Sequence, residues 1–336
     1  MPDTRLEHRF TLLCGHFRGV LIYMKIYLAP MEGLADFYLR KLIARTGGYD
    51  LVITEFIRVV DQLLPAHVFY RNAPELHNKG RTEDDTPVRL QLLGSQPDAL
   101  ALNAQRAIEL GSQGVDLNFG CPSKTVNKSK GGAVLLNEPE TLYRVVKAVK
   151  DAVPAGHVTS AKMRLGFNDS NLMHECADAI VQAGADELTI HARTKAQGYV
   201  PPAYWHLVGE LRHRIPIPVI INGEIWNNHD ARRALTEGGC DHLMLGRGAI
   251  RQPWLAKHIK ANSDQIESWP MMLVLVREFW ALVQAEMGEK YCSGRLKQWL
   301  HYLKDIYPEA LVLFMDIRRL TDLQQITARI EQELYK

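Results

Sequence analysis

Cys121 stands in the segment Asn118-Phe119-Gly120-Cys121-Pro122-Ser123, directly after a short apolar run, and the proline stiffens the loop that carries it. A lone cysteine is more often a small buried hydrophobe. A thiol at the end of a strand is a different case: with an ordinary pKa of about 8.5 it keeps its proton at neutral pH and can donate it as a general acid. Lys124, Lys128 and Lys130 follow with no acid between them, ahead of Gly131-Gly132. Such a stretch is either a solvated loop or a mobile basic lid suited to a nucleic-acid backbone.

Lys162 lies in the strand-like run Val158 to Arg164, where burying an ammonium is costly unless an anion or an electron-rich ring meets it. A carboxylate across the fold is one such partner. A flavin is another, since its N1–C2=O edge gains negative charge on reduction, and Gln91 is placed to hydrogen-bond the ring. Two glycine-bearing turns, Asn222-Gly223-Glu224 and Gly246-Arg247-Gly248, let backbone N–H groups approach a ligand closely, and Arg247 adds a guanidinium fork. Gly-Arg-Gly alone is an ordinary tight turn; the two turns together predict a phosphate-bearing ligand.

Eight short β-rich runs carry these residues: Lys25 to Ala29, Leu51 to Thr54, Val88 to Leu93, Val115 to Asn118, Val158 to Arg164, Glu187 to His191, Pro218 to Asn222 and His242 to Leu245. Amphipathic helical stretches such as Asp98 to Leu110, Thr141 to Val149, Leu172 to Ala183 and Asp230 to Glu237 separate them. The alternation predicts an α/β fold, a TIM (β/α)8 barrel followed by a small C-terminal helical domain. A doubly wound open sheet is the rival, but no glycine-rich dinucleotide fingerprint follows the first strand. In a barrel the working residues sit at the C-terminal ends of the strands, and the polar residues above fall there.

The barrel is expected over residues 24–263. From about residue 264 strand signals stop, and Met271 to Met287, Gly294 to Tyr307 and one further stretch near Glu309 to Ile330 read as helices, giving a separate module over 264–336. In the second of these, Leu296, Trp299, Leu300, Leu303 and Tyr307 form an apolar stripe, leaving Lys297, His301 and Lys304 along another face. Residues 1–23 read as an extension outside the fold, because Met24 directly precedes the first convincing strand; a strand or plug closing the barrel's bottom is the alternative.

Forty basic against 38 acidic residues leave a net charge of only +2 over 336 residues, so a nucleic-acid site must come from local clustering. At 46% hydrophobic and 23% charged residues, the composition is that of a globular enzyme rather than a disordered chain. The five cysteines show neither metal-ligand pairing nor a disulfide framework, so no metal and a reducing, cytoplasmic setting are expected. No apolar run approaches the roughly 18 residues needed to cross a bilayer, and no membrane partner is expected.

Taken in order, Ala29-Pro30-Met31, Asn118-Phe119-Gly120-Cys121-Pro122-Ser123, Lys162-Met163-Arg164-Leu165-Gly166, His191-Ala192-Arg193-Thr194, Asn222-Gly223-Glu224-Ile225 and Gly246-Arg247-Gly248 resemble the tRNA-dihydrouridine synthase family, over roughly residues 24 to 320. The resemblance implies an oxidoreductase that holds FMN with Pro30, Met31, Glu32, Gln91, Lys162, His191, Asn222, Gly223, Glu224, Gly246 and Arg247. It further implies NADPH as electron donor, hydride delivery from flavin N5 to C6 of uracil, and protonation of C5 by Cys121. Thr54-Glu55-Phe56-Ile57-Arg58-Val59-Val60 and Arg295-Leu296-Lys297-Gln298-Trp299-Leu300 are more similar to the bacterial C-type members, which act on uridine 16 of the D-loop. By that likeness Arg58, Asn118, Arg164, Arg295, Lys297 and Arg318 contact tRNA at the D-loop and elbow, and the protein is expected to act as a monomer. Swinging a uracil out of folded tRNA costs a few kcal/mol, which backbone contacts must offset. A flavin reductase of a small substrate, akin to dihydroorotate or ene reductases, and a non-enzymatic tRNA-binding flavoprotein are the rival readings.

Overall fold

Each of the eight runs expected as strands forms one, and together they close a parallel barrel. The computed structural model describes residues 14–17 and 20–335. Strands β1 (Cys14–Phe17) and β2 (Val20–Tyr23) pair antiparallel in a small sheet of their own. The barrel follows as β3 (Ile26–Leu28), β4 (Leu51–Arg58), β5 (Val88–Leu93), β6 (Gly114–Phe119), β7 (Val158–Gly166), β8 (Glu187–Thr194), β9 (Val219–Asn222) and β10 (His242–Leu245). Neighbours pair in chain order, and β10 closes onto β3. Of the extension expected over residues 1–23, the described part is thus a strand pair outside the barrel sheet, with Lys260 Nζ 5.0 Å from the ring centroid of exposed Tyr23. Residues 1–13, 18 and 19 lie outside the described residues.

Helices α1 (Phe37–Arg45), α2 (Ala66–Asn72), α3 (Pro97–Glu109), α4 (Lys124–Lys128), α5 (Pro139–Ala152), α6 (Met173–Gln182), α7 (Trp205–Arg212) and α8 (Asn228–Gly238) occupy the strand connections. With helices outside and side chains inside, the strands are covered on both faces, which is why β5, β6 and β8 are buried along their whole length. Side chains alternate across each strand. Val88, Leu90, Leu92, Val115 and Leu117 join the core under the helices, so Arg89, Gln91, Asp116 and Asn118 point into the barrel.

Strand β4 runs four residues beyond its expected end at Thr54. Its pairing with β5 shifts register between Ile53 and Phe56, an irregularity that re-aims the strand's end, and Phe56 and Arg58 reach the barrel mouth.

After β10 come α9 (Arg247–Arg251), α10 (Leu255–Lys260), α11 (Trp269–Glu286), α12 (Glu289–Leu303), α13 (Pro308–Ile317) and α14 (Leu323–Gln332). The single helix expected near Glu309 to Ile330 is therefore two. Asp322 caps the second by accepting the Gln325 amide, which starts a new helix where amphipathic periodicity alone suggested continuity. Nor does the helical segment stand apart from the barrel: Trp269, Phe279 and Trp299 belong to the same apolar cluster as the outward-facing strand residues. Trp299 Nε1 also donates to the Ile250 carbonyl at 3.0 Å.

Because that core is continuous, Trp299→Ala is expected to cost about 3–5 kcal/mol, the usual range for emptying a buried tryptophan site. Circular dichroism and tryptophan fluorescence should report one common unfolding transition at lower temperature. A separate early melting of the helices over an intact barrel would contradict the shared core.

Candidate active site

A cavity of about 720 Å3 opens at the C-terminal ends of the barrel strands, within the size range of small-molecule and cofactor sites. It gathers all of the residues named for the cofactor, from Pro30 through Arg247, together with Cys121, Arg58, Asn118 and Arg164. Gln298 and Tyr302 of α12 complete one wall. The remaining three expected nucleic-acid contacts, Arg295, Lys297 and Arg318, are not part of its lining.

Lys162 projects from β7 into the cavity floor, where its Nζ donates to Asn222 Oδ1 at 3.2 Å. Asn222 is itself held by donating to the Met244 carbonyl at 2.9 Å. No ion pair to Lys162 exists among the described residues, so the carboxylate partner considered from sequence is absent there. Burial, reinforced by Arg164, lowers the Lys162 pKa to about 8. His191 on β8 is pushed well below its ordinary value by burial and by the surrounding Arg164, Lys162, Arg193 and Arg247, and is a neutral imidazole at physiological pH. Gly223 lies at φ +119°, and a Cβ there would come within 2.9 Å of the His191 ring. This glycine therefore lets the β9 turn close against the imidazole.

The Cys121 loop is built from its own backbone. Asn118 Oδ1 accepts the amides of Gly120 and Cys121, each at 2.9 Å, and Asn127 Nδ2 donates to the Cys121 carbonyl at 3.1 Å. A Cβ on Gly132, which sits at φ +67°, would lie 3.0 Å from both the Cys121 Cβ and its carbonyl oxygen, so only glycine fits against the loop without displacement. Burial raises the thiol pKa and nearby Glu32 adds to the rise, against a backbone hydrogen bond from Ser123 and the charge of Arg164. The thiol is thus kept protonated. The three lysines that follow are exposed on or beside α4.

Cations collect on the opposite side. Arg193, fully buried, and Arg247 both reach Glu224, at 2.9 and 3.1 Å. Arg193 Nη1 has no hydrogen-bond partner among the described residues. Two arginines around one carboxylate leave net positive charge at the strand ends. Arg247 also packs over Tyr199 and Trp226, at 4.8 and 5.1 Å from their ring centroids.

Arg164 is buried, with its guanidinium donating to the carbonyls of Gly120, Thr194 and Gly198. Arg295 bonds Asp36 and the Gly33 and Leu34 carbonyls, tying α12 to the loop after β3. Lys297 donates to the Leu320 carbonyl beyond α13. These three are turned into the protein, whereas Arg58 and Arg318 are exposed. Sequence reasoning passed over Phe56, Arg193, Tyr199, Trp226 and Tyr302 as cavity residues. Phe56 and Arg193 fall inside segments that carry the family resemblance, and Trp226 lies two residues after the Asn222-Gly223-Glu224 turn, but a loop aromatic such as Tyr199 carries no periodic signal.

Residues 27–331 match the model of the dihydrouridine synthase (Dus) family. The chain is 50% identical over 309 residues to the tRNA-dihydrouridine(16) synthase of Shewanella oneidensis, covering 92% of this chain and 98% of that protein. It is 48% identical over 309 residues to the protein of the same name from Escherichia coli K12, with the same two coverages, 92% and 98%. Among solved structures, a 2-naphthoyl-CoA reductase complex superposes with a TM-score of 0.57 at 14% identity, over 75% of this chain and 52% of that one. Histamine dehydrogenase from Rhizobium gives 0.54 at 14%, over 77% and 49%. At such identities these two similarities speak for the fold alone.

Lys162 offers a stability test. Its folded-state pKa of about 8 lies below the ordinary 10.5, so below pH 8 the folded ligand-free protein carries the full cost of the buried charge, moderated by the cavity's access to water. That cost fades as pH rises from about 8 to 10.5 and the folded state sheds the proton. Lys162→Met is therefore expected to raise the thermal midpoint of ligand-free protein at pH 7 by a few degrees, with the gain shrinking above pH 8. A lowered midpoint at pH 7 would contradict the assignment.

Proposed function

This chain belongs to the dihydrouridine synthase family, and from that premise we propose that it reduces uridine 16 in the D-loop of tRNA to 5,6-dihydrouridine. The observation that carries the reading is the convergence, on one cavity, of a proton-bearing thiol from the β6 loop and a cation-rich floor and wall from β7 to β10.

The residues present suit FMN. Lys162 supplies positive charge with only a neutral amide bonded to it, and Arg193 and Arg247 carry more charge than Glu224 offsets. Pro30, Met31, Glu32, Gln91, Lys162, His191, Asn222, Gly223, Glu224, Gly246 and Arg247 would hold the cofactor. When bound, FMN would supply the hydride for C6 of uracil, with NADPH as the source of electrons.

Cys121 acts as the general acid. Its raised pKa keeps the proton available at neutral pH for C5 of uracil, and the thiolate left behind regains a proton from solvent. Asn118 and Gly132 hold the loop from which Cys121 lines the cavity. Arg164, with its bonds to the Gly120, Thr194 and Gly198 carbonyls, ties the start of that loop to the loop after β8.

For tRNA, Arg58 at the barrel mouth and Arg318 beyond α13 are the proposed backbone contacts. Arg295 and Lys297 would act by setting the position of α12 and α13, with residues 264–336 as the docking surface and 24–263 as the catalytic barrel. A cytoplasmic monomer is the proposed form; Cys121, Cys176, Cys240 and Cys292 are free thiols, as a reducing compartment would leave them. No helix among the described residues is long and apolar enough to cross a membrane.

Two measurements test this reading. Cys121→Ala should cut dihydrouridine formation at position 16 by about 10²–10⁴-fold, the usual worth of a positioned acid, while a yellow, tRNA-binding protein remains. In the unaltered enzyme the rate of the proton-transfer step should hold through neutral pH and fall only as pH rises past the ordinary thiol range; unimpaired turnover by the alanine variant would sink the assignment. Separately, tRNA affinity should drop steeply with salt, and Arg58→Ala should lower the log–log slope by about one. A slope unchanged by the substitution would remove Arg58 from the interface.

A further inference from the structure

A line of hydrogen bonds runs through the barrel interior to the thiol loop. At its inner end Arg89 Nη1 donates to Glu187 Oε2 at 2.7 Å and to Ser160 Oγ at 2.9 Å. Ser160 Oγ donates to Asp116 Oδ1 at 2.5 Å, and Gln91 Nε2 donates to Asp116 Oδ2 at 2.7 Å. Asn118 Nδ2 donates to Gln91 Oε1 at 2.7 Å, which leaves Asn118 Oδ1 to accept the Gly120 and Cys121 amides.

The direction of each bond follows from counting donors and acceptors. Arg89 at one end and the two loop amides at the other only donate. A carboxamide between them takes one bond and gives one, and a hydroxyl that accepted from both sides would leave its own proton without an acceptor on the line, so neither reverses the direction without freeing a donor. Two donor-only ends facing each other through such links leave one donor unmatched. A carboxylate, which only accepts, removes the mismatch, and Asp116 is the single carboxylate in the line between Ser160 and the loop.

We propose that Asp116 is a positioning residue for Cys121: by accepting from both sides it sets the orientation of Gln91 and then of Asn118, so that an oxygen rather than an NH2 group faces the loop amides. With asparagine at 116, one donor on the line has no acceptor. Near Ser160 and Asp116, exposed by 2% and 0%, such a defect costs about 1–3 kcal/mol. At the half-exposed Gly120 and Cys121, water can meet a freed N–H. The defect therefore settles at the loop: Gln91 and Asn118 turn over, and the thiol segment loses its anchor.

Hydrogen bonding requires only that one of the three positions be a carboxylate. In the double variant Asp116→Asn/Gln91→Glu, the carboxylate now carried by β5 accepts from the new carboxamide on one side and from Asn118 on the other, and Asn118 again offers oxygen to the loop. In Asp116→Asn/Asn118→Asp, the carboxylate moves to the end of β6, where it accepts from Gln91 and from the loop amides directly. Both double variants thus restore the loop's acceptor while keeping asparagine at 116. The consequence for proton delivery rests on Cys121 being the acid; the anchoring itself does not.

Amide hydrogen exchange on the full chain as purified, read at Gly120 and Cys121, tests this without any turnover. Asp116→Asn should speed exchange at these two amides by about tenfold or more, the worth of a lost hydrogen bond, and both double variants should return it to near the unaltered rate. Slow exchange in a folded Asp116→Asn protein would overturn the assignment, as would double variants that exchange as fast as the single one. Should Asp116→Asn fail to fold, folded double variants with slow exchange would support it, and failure of both would overturn it. A wrong role for Cys121 would show instead as normal turnover in Cys121→Ala, with these exchange rates unaffected.

Discussion

Closing eight parallel strands cuts the inside of the barrel off from water, and each polar side chain that points inward must find its partner there. This protein places many such groups inside. Tyr27, Arg89, Asp116, Ser160 and Glu187 bond one another beneath the cavity and Gln91 joins them from its lining, with the Arg89–Glu187 pair at 2.7 Å and Tyr27 donating to Glu187 at 3.0 Å; only Arg89 Nε, within this group, has no hydrogen-bond partner among the described residues. Burial pushes the Asp116 carboxyl up, yet donors face both of its oxygens and the Arg89 and Lys162 charges favour the ionised form. A network of this kind has little freedom to rearrange, since a half-satisfied buried group costs more than an apolar one in its place.

Toward the open end the balance changes sign. Lys162, His191, Arg193 and Arg247 crowd together, and the first two are displaced from their ordinary pKa values in the direction that expresses uncompensated charge and burial. Stability is given up at the place where an electron-rich, anionic ligand would restore it, which is the usual sign of a site shaped for binding rather than for folding. Cys121 sits across the same space in a setting that favours its neutral form. The cations and the held proton thus line one cavity, placed there by neighbouring strand ends and the loops after them.

The helices after the barrel act on that cavity from outside. Arg295 fastens α12 to the loop after β3, and the same helix brings Gln298 and Tyr302 to the rim. Its Arg295 and Lys297 serve the protein's own carbonyls and carboxylates. What the helical segment presents to a large partner is consequently its shape and position, together with exposed charges such as Arg318.

Sequence was enough for the barrel. Strands buried on both faces appear as short apolar runs whatever their neighbours are, and a residue that ends such a run, as Asn222 does, or follows it, as Cys121 and Gly246 do, is at the barrel's working end by chain order alone. The limits came where an outcome depends on which surfaces meet. Amphipathic spacing in α12 showed that Arg295 and Lys297 avoid the apolar stripe, but only packing against the β3 loop and α13 decided that both turn inward; the same spacing ran through Asp322, where a cap divides the last helix. The aromatic rim of Phe56, Tyr199 and Trp226 arises from a register shift and from loops that fold over the mouth. The orientation of Gln91 and Asn118 likewise belongs to the tertiary structure, because an amide's direction is set by the partners that closure of the barrel brings within hydrogen-bond reach.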